Sequence, residues 1–172
     1  MYKLLPYGYG KQVLRGKNKI YLSDPAIAPA VLIKGKTILE TPLALSQCVE
    51  TAVIGHLWSH CRTNQARFSY WRSTKEEKEV DLIVELDGAI FPFEIKYQAQ
   101  GVEARDVPGL IDLIKKKEQI TQGFIATKSP NDLGRVKVDD QGEKALLRIP
   151  ACLLCFYLGQ AEFHQRNILL GS

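Results

Sequence analysis

Asp81, Glu94 and Lys96 lie in the segment EVDLIVELDGAIFPFEIKY, residues 79–97, on what read as two otherwise apolar strands. The strands meet at Leu86-Asp87-Gly88-Ala89, and Asp-Gly supplies the positive φ angles that a two-residue type I′ turn requires. The register follows by arithmetic: Leu86 opposes Ala89, Val84 opposes Phe91, Leu82 opposes Phe93, Ile83 faces Pro92, and Asp81 faces Glu94. Opposed carboxylates with Cβ atoms ~5 Å apart repel each other, so a cation belongs between them. Lys96, two residues from Glu94, supplies one positive charge. A divalent ion fits better, because Mg²⁺ is commonly held by one or two carboxylates together with waters and substrate phosphate. The reading without chemistry is a charge network on a half-exposed sheet.

The same register sorts the hairpin into two faces. Val80, Leu82, Val84, Leu86, Phe91, Phe93 and Ile95 form an apolar face that must be covered, and Asp81, Ile83, Glu94 and Lys96 form the other. Pro92 is tolerated at a position whose N–H points away from the paired strand.

Other elements must position this pair. Thr41-Pro42 reads as an N-cap followed by proline at the first helical position, and LALSQCVETAVIGHLWSHC carries Leu45, Val49, Ala52, Val53 and Leu57 at helical spacing. Glu50 falls at the edge of that stripe. KIYL, from Lys19 to Leu22, predicts a short strand ahead of a Ser23-Asp24-Pro25 turn, and ARFSYWRS predicts another. A helix is expected from about Pro108 to Glu118, then a short buried strand at GFIAT and a loop at NDLG. KALLRIPACLLCFYL is either one long strand or a strand ending at Ile149 and a helix with Pro150 at its start. Strands and helices alternate, which predicts an α/β domain: a mixed central sheet flanked by helices. Residues 1–18, rich in Gly, Tyr and Lys, read as an irregular N-terminal arm, and residues 19–172 as a single domain.

With 172 residues, 45% apolar and 24% charged, the chain can fill one core. No apolar run approaches the ~20 residues that span a bilayer, and the opening MYKLLPYGYGKQ lacks a signal-peptide pattern, so no membrane partner and a cytoplasmic location are expected. Four cysteines suit reduced, packed thiols better than a disulfide framework. The formal charge of +4 is a mild bias toward anionic partners.

Asp81, twelve intervening residues, then Glu94-Ile95-Lys96 resembles the Asp…Glu-x-Lys core of the PD-(D/E)xK, or restriction-endonuclease-like, nuclease superfamily. The ordered series KIYLSDPAIAPAVL, CVETAV with Glu50, YWRS, EVDLIVE, FPFEIKY, and GLIDLI before GFIAT resembles a prokaryotic domain of unassigned function that usually forms the C-terminal part of AAA+ type ATPases. The resemblance covers roughly residues 19 to 128. It implies a restriction-endonuclease-like core, a bound Mg²⁺ or Mn²⁺, and hydrolysis of DNA phosphodiester bonds. It further implies metal ligation by Asp81, Glu94 and the backbone carbonyl of Ile95, with Glu50 bound to the metal directly or through water, and Lys96 orienting the attacking water or offsetting charge. No GxxxxGK[ST] phosphate loop is present, so the chain is not itself an ATPase, and an ATPase module would be a partner. A non-catalytic module that binds DNA or protein on the same fold is the alternative.

Arg72, Lys75 and the run Lys115-Lys116-Lys117 are candidate phosphate contacts, set against the solvated face of an amphipathic helix. His56 and His60, one helical turn apart and beside Cys61, could chelate a metal. No acidic residue lies between them, and His56 falls near the apolar stripe, so packing is expected and zinc is not. Cys152 and Cys155 form a lone CxxC, read as buried thiols.

Overall fold

The computed structural model describes residues 1–8, 17–32, 35–73, 77–138 and 143–170. Among these, the elements run β1 (Tyr2–Pro6), β2 (Lys19–Tyr21), α1 (Ile27–Val31), α2 (Pro42–Cys61), β3 (Arg67–Arg72), β4 (Glu79–Leu86), β5 (Ala89–Lys96), α3 (Pro108–Lys116), β6 (Gln122–Thr127), β7 (Gly134–Lys137), β8 (Ala145–Pro150) and α4 (Ala151–Leu170). The strands form one mixed sheet in the order β2-β1-β3-β4-β5-β6-β8-β7. An α/β architecture results, as the alternation of apolar periods predicts.

The centre of the sheet is the hairpin that the Asp-Gly turn dictates. Asp87 and Gly88 take φ values of 51° and 79°, and the ladder runs from Leu86–Ala89 through Ile83–Pro92 to Leu82–Phe93. Beside it, β6 continues the sheet in parallel from β5, and β8 in parallel from β6. Pro92 stands where it removes no bond of this hairpin ladder, as expected.

Helices cover both faces, which explains why the hairpin has no solvated side. On one face, Leu82, Val84, Phe93 and Ile95 meet Val53, Ile54 and Leu57 of α2 and Ala151 of α4. On the other, Val80, Ile83 and Ile125 meet Leu110, Leu113 and Ile114 of α3. Val80 therefore departs from the strict alternation expected of it. The β3–β4 register steps from Ser69–Ile83 to Trp71–Val80, so β4 carries one extra residue there. Such a bulge flips the side chains beyond it to the opposite face.

The cap of α2 holds in part. Thr41 is extended (φ −98°, ψ 107°) and Pro42 occupies the first turn, but no side-chain cap bond forms. The Thr41 hydroxyl instead donates to the Thr37 carbonyl at 3.4 Å. Val53, Ile54, Leu57 and Cys61 are the buried positions.

Three expectations are corrected. The N-terminal arm is not irregular throughout, because Tyr2–Pro6 forms β1, antiparallel to β2 and parallel to β3, with Leu4 fully buried. The C-terminal segment takes the strand-then-helix alternative, with Pro150 ending β8 and a twenty-residue helix following, but Cys152, on that helix α4 with Cys155, is exposed rather than packed. NDLG is only partly loop, since Gly134 begins the edge strand β7. All four cysteines are free thiols. No helix among the described residues is long and apolar enough to cross a membrane.

Candidate functional site

Asp81 sits one residue past the last β4–β5 ladder pair, inside the bulge. Its carboxylate reaches across to β5, where Oδ2 accepts the backbone N–H of Ile95 at 3.0 Å. The expected proximity of Asp81 to Glu94 is thus achieved through a side chain bonded to the next residue of β5, and not through a regular cross-strand pair.

Glu94 is buried, with 6% of its surface exposed. Lys96 Nζ lies 3.1 Å from its Oε1. Its Oε2 is buried and has no hydrogen-bond partner. Burial, then the charge of Asp81, pushes the Glu94 carboxyl up to about 8 against the pull of Lys96. A buried carboxylate oxygen without a donor costs free energy, so a proton or a cation must relieve it.

Glu50 enters from α2 on the same side as Tyr21, whose hydroxyl donates to Glu50 Oε1 at 2.6 Å. Burial and the Asp81 charge raise the Glu50 carboxyl above its ordinary value, against the Tyr21 bond and Lys19. Glu50 and Glu94 thus each lie within reach of the Asp81 charge, and Lys96 lies against Glu94. Asp81 is the charge that Glu50 and Glu94 both feel.

Three residues that sequence reasoning passed over, Lys19, Tyr21 and Glu79, complete the cluster. Lys19 Nζ lies 3.3 Å from Asp81 Oδ1, pairs with Glu79, and stands 5.4 Å above the Tyr70 ring. Burial opposes its charge, but Asp81, Glu79 and Glu50 outweigh burial and hold the Lys19 pKa above the ordinary lysine value. Glu79 is held on its other side by Arg72, whose Nε donates at 2.6 Å. Although burial works the other way, Lys19 and Arg72 keep the Glu79 carboxyl below its usual value. The signal in the sequence was the period of two in Lys19-Ile20-Tyr21: a strand presents both polar-tipped residues on one face.

Arg72 is exposed and committed to Glu79 at the rim of the cluster. Lys75 lies outside the described residues. Lys115, Lys116 and Lys117 are exposed at and just past the end of α3. Lys116 pairs with Asp112 at 2.7 Å and lies 5.8 Å from the Trp71 ring, and Lys117 lies 5.9 Å from the Tyr7 ring. His56 is exposed instead of packed in the stripe, and lines a cleft of about 300 Å³ with Tyr2, Asp24, Ser59 and Glu162. Glu162 accepts the Ser59 hydroxyl there.

Among the described residues, no group of three or more His, Cys, Asp or Glu side chains is gathered as a metal cage. Two carboxylates meet the usual requirement of Mg²⁺, which keeps several waters, and hard oxygen donors suit Mg²⁺ or Mn²⁺ better than zinc. The orphaned Glu94 Oε2 is the feature that fits such an ion.

No curated protein and no solved structure matches the chain. The model of one family, described as Domain of unknown function (DUF4143), matches residues 45–149, from within α2 to near the end of β8. That match covers more than half of the sequence, and the chain belongs to this family.

Proposed function

We propose that this is a metal-dependent nuclease-like domain whose site is Asp81, Glu94, Lys96 and Glu50, acting on DNA phosphodiester bonds. The observation that carries the reading is the buried Glu94 carboxylate, with Oε2 unpartnered, set beside a second carboxylate on Asp81. Asp81 and Glu94 would hold Mg²⁺ or Mn²⁺, with the Ile95 carbonyl and Glu50 as further ligands. When bound, the ion supplies polarisation of a phosphoryl oxygen and a lowered pKa for a bound water. Lys96, only partly buried, offers its ammonium to the attacking water or to charge that develops in the transition state. Tyr21 holds Glu50 by its hydroxyl, so that carboxylate is oriented before any ligand arrives.

A restriction-endonuclease-like core and an ATPase module as partner belong to the same proposal. The mixed sheet, with helices on both faces, supports the first; the second rests on the sequence resemblance alone.

One observation favours a second reading, a non-catalytic accessory module. Lys19 and Lys96 already pair with Asp81 and Glu94, so the cluster is partly neutralised without an ion. The two readings separate in one experiment: thermal unfolding against Mn²⁺ concentration, run with a supercoiled-plasmid nicking assay on wild type and Glu94→Gln. An intact nuclease gains ~2.7 kcal/mol of stability at a hundredfold excess over Kd and nicks the plasmid, and Glu94→Gln loses both. Mn²⁺ binding without nicking would leave the accessory reading. No Mn²⁺ binding by wild type refutes the metal site.

A further inference from the structure

We propose that Lys19 is a resident counter-cation of Asp81, exchanged for the divalent ion when the site fills, so that strand β2 sets how readily metal enters. The inference rests on the metal-site reading above.

The geometry of Asp81 carries it. One carboxylate oxygen, Oδ2, is occupied by the Ile95 backbone N–H, and the other, Oδ1, by the Lys19 ammonium. A backbone donor in the central hairpin cannot leave without breaking the sheet. A lysine on a flexible four-carbon stem can. A cation that takes Asp81 through Oδ1 must therefore share or replace Lys19 there.

Lys19 also has a second position available. It already pairs with Glu79, so it keeps a carboxylate partner after leaving Asp81. Arg72 fixes Glu79 from the far side, which holds that second partner in place. The stem is half-buried and the ammonium lies over the Tyr70 ring, so the side chain is confined to the space between the two carboxylates. Its backbone is tied down as well, because Lys19 pairs with Leu4 of β1. An ordinary surface ion pair has neither confinement nor a second acceptor and contributes little.

The test uses the full chain with Lys19→Met, Lys19→Arg and Asp81→Asn. In Mn²⁺ titrations followed by calorimetry, Lys19→Met should bind on the order of tenfold more tightly than wild type, since a competing charge has gone. Lys19→Arg retains the charge and can hold the carboxylate through two donors, so it should bind Mn²⁺ no more tightly than wild type. Weaker or unchanged binding by folded Lys19→Met, or tighter binding by Lys19→Arg, overturns the exchange.

A metal-free cycle keeps this separate from the nuclease reading. In EDTA, Lys19→Met should lower Tm, and Asp81→Asn added to it should restore part of the loss; additive effects would remove the pairing. Coupling in the cycle with no Mn²⁺ binding by any variant would overturn the exchange through failure of the metal site, with Lys19 left as a fixed partner of Asp81.

Discussion

The Asp81 carboxylate accepts the Ile95 backbone N–H at 3.0 Å, one residue beyond the point where the β4–β5 ladder ends at Leu82–Phe93. A side chain thus continues the work of the ladder, and an acidic group is fixed beside Glu94 as a result. The extra residue that the bulge inserts into β4 makes this possible, since it frees Asp81 from regular pairing with β3.

This relationship separates two substitutions at one position. Asp81→Ala leaves the Ile95 N–H without its acceptor and should cost about 1–3 kcal/mol in urea denaturation of the metal-free protein. Asp81→Asn keeps an oxygen for Ile95 and relieves the repulsion on Glu94 and Glu50, while it gives up the pairing with Lys19. Its net change should stay within about 1 kcal/mol of wild type. Equal losses for the two variants would mean that the hydrogen bond contributes nothing.

A second prediction concerns how α3 is seated. A Cβ built at Gly109 would overlap the backbone of Glu79, the first residue of β4. Glycine thus lets the start of α3 approach the strand that carries Glu79 and Asp81. Gly109→Ala should lower stability by at least about 1–3 kcal/mol, although alanine is the better helix former. Chemical denaturation would reveal it, and a neutral or stabilising result would place α3 farther from β4.

The hairpin register was legible because Asp87-Gly88 permits few turn types, and α2 was legible because Thr41-Pro42 and the stripe through Val53 and Leu57 agree. Val80 was not. Its side depends on a bulge that arises only when β3 pairs with β4, and nothing within EVDLIVEL encodes that partner. Burial of Glu94 was missed for a related reason: a strand pair alone does not reveal that α3 covers the second face. Lys19 and Tyr21 were missed because their strand is held at the sheet edge by β1, and Tyr2–Pro6 is too short, with lysine and tyrosine mixed in, to stand out from a polar arm.

The buried Glu94 predicts a pH dependence with a definite sign. Its folded-state carboxyl is raised from 4.5 to about 8, so the folded protein holds a proton that the unfolded chain releases near pH 4.5. The corresponding stability is fully present below that lower value and is lost as pH rises toward about 8. Glu50, raised by burial and Asp81, acts in the same direction. Metal-free protein should therefore be less stable at about pH 8.5 than at about pH 5.5, by up to a few kcal/mol. Glu94→Gln should flatten this slope. An unchanged slope in that variant would assign the pH dependence to other groups.

Lys96 gives the test that divides binding from chemistry. It pairs with Glu94 at 3.1 Å, yet a third of its side chain remains exposed, unlike the buried carboxylate it contacts. Burial opposes its charge, but Glu94, Asp81 and Asp106 together hold its pKa above the ordinary lysine value, so it stays protonated throughout the neutral range. Under the proposed nuclease reading, a permanent cation beside two carboxylates weakens metal binding, and contributes to rate only by favouring a transition state richer in negative charge than the substrate. Lys96→Ala should accordingly bind Mn²⁺ at least as tightly as wild type while plasmid nicking falls by a hundredfold or more, on the order of the loss when one electrostatic stabiliser is removed. Calorimetry and a nicking time course on the same preparation measure both quantities. Loss of Mn²⁺ binding in Lys96→Ala would instead make the lysine a structural brace for Glu94, and full retention of nicking would remove it from the chemistry.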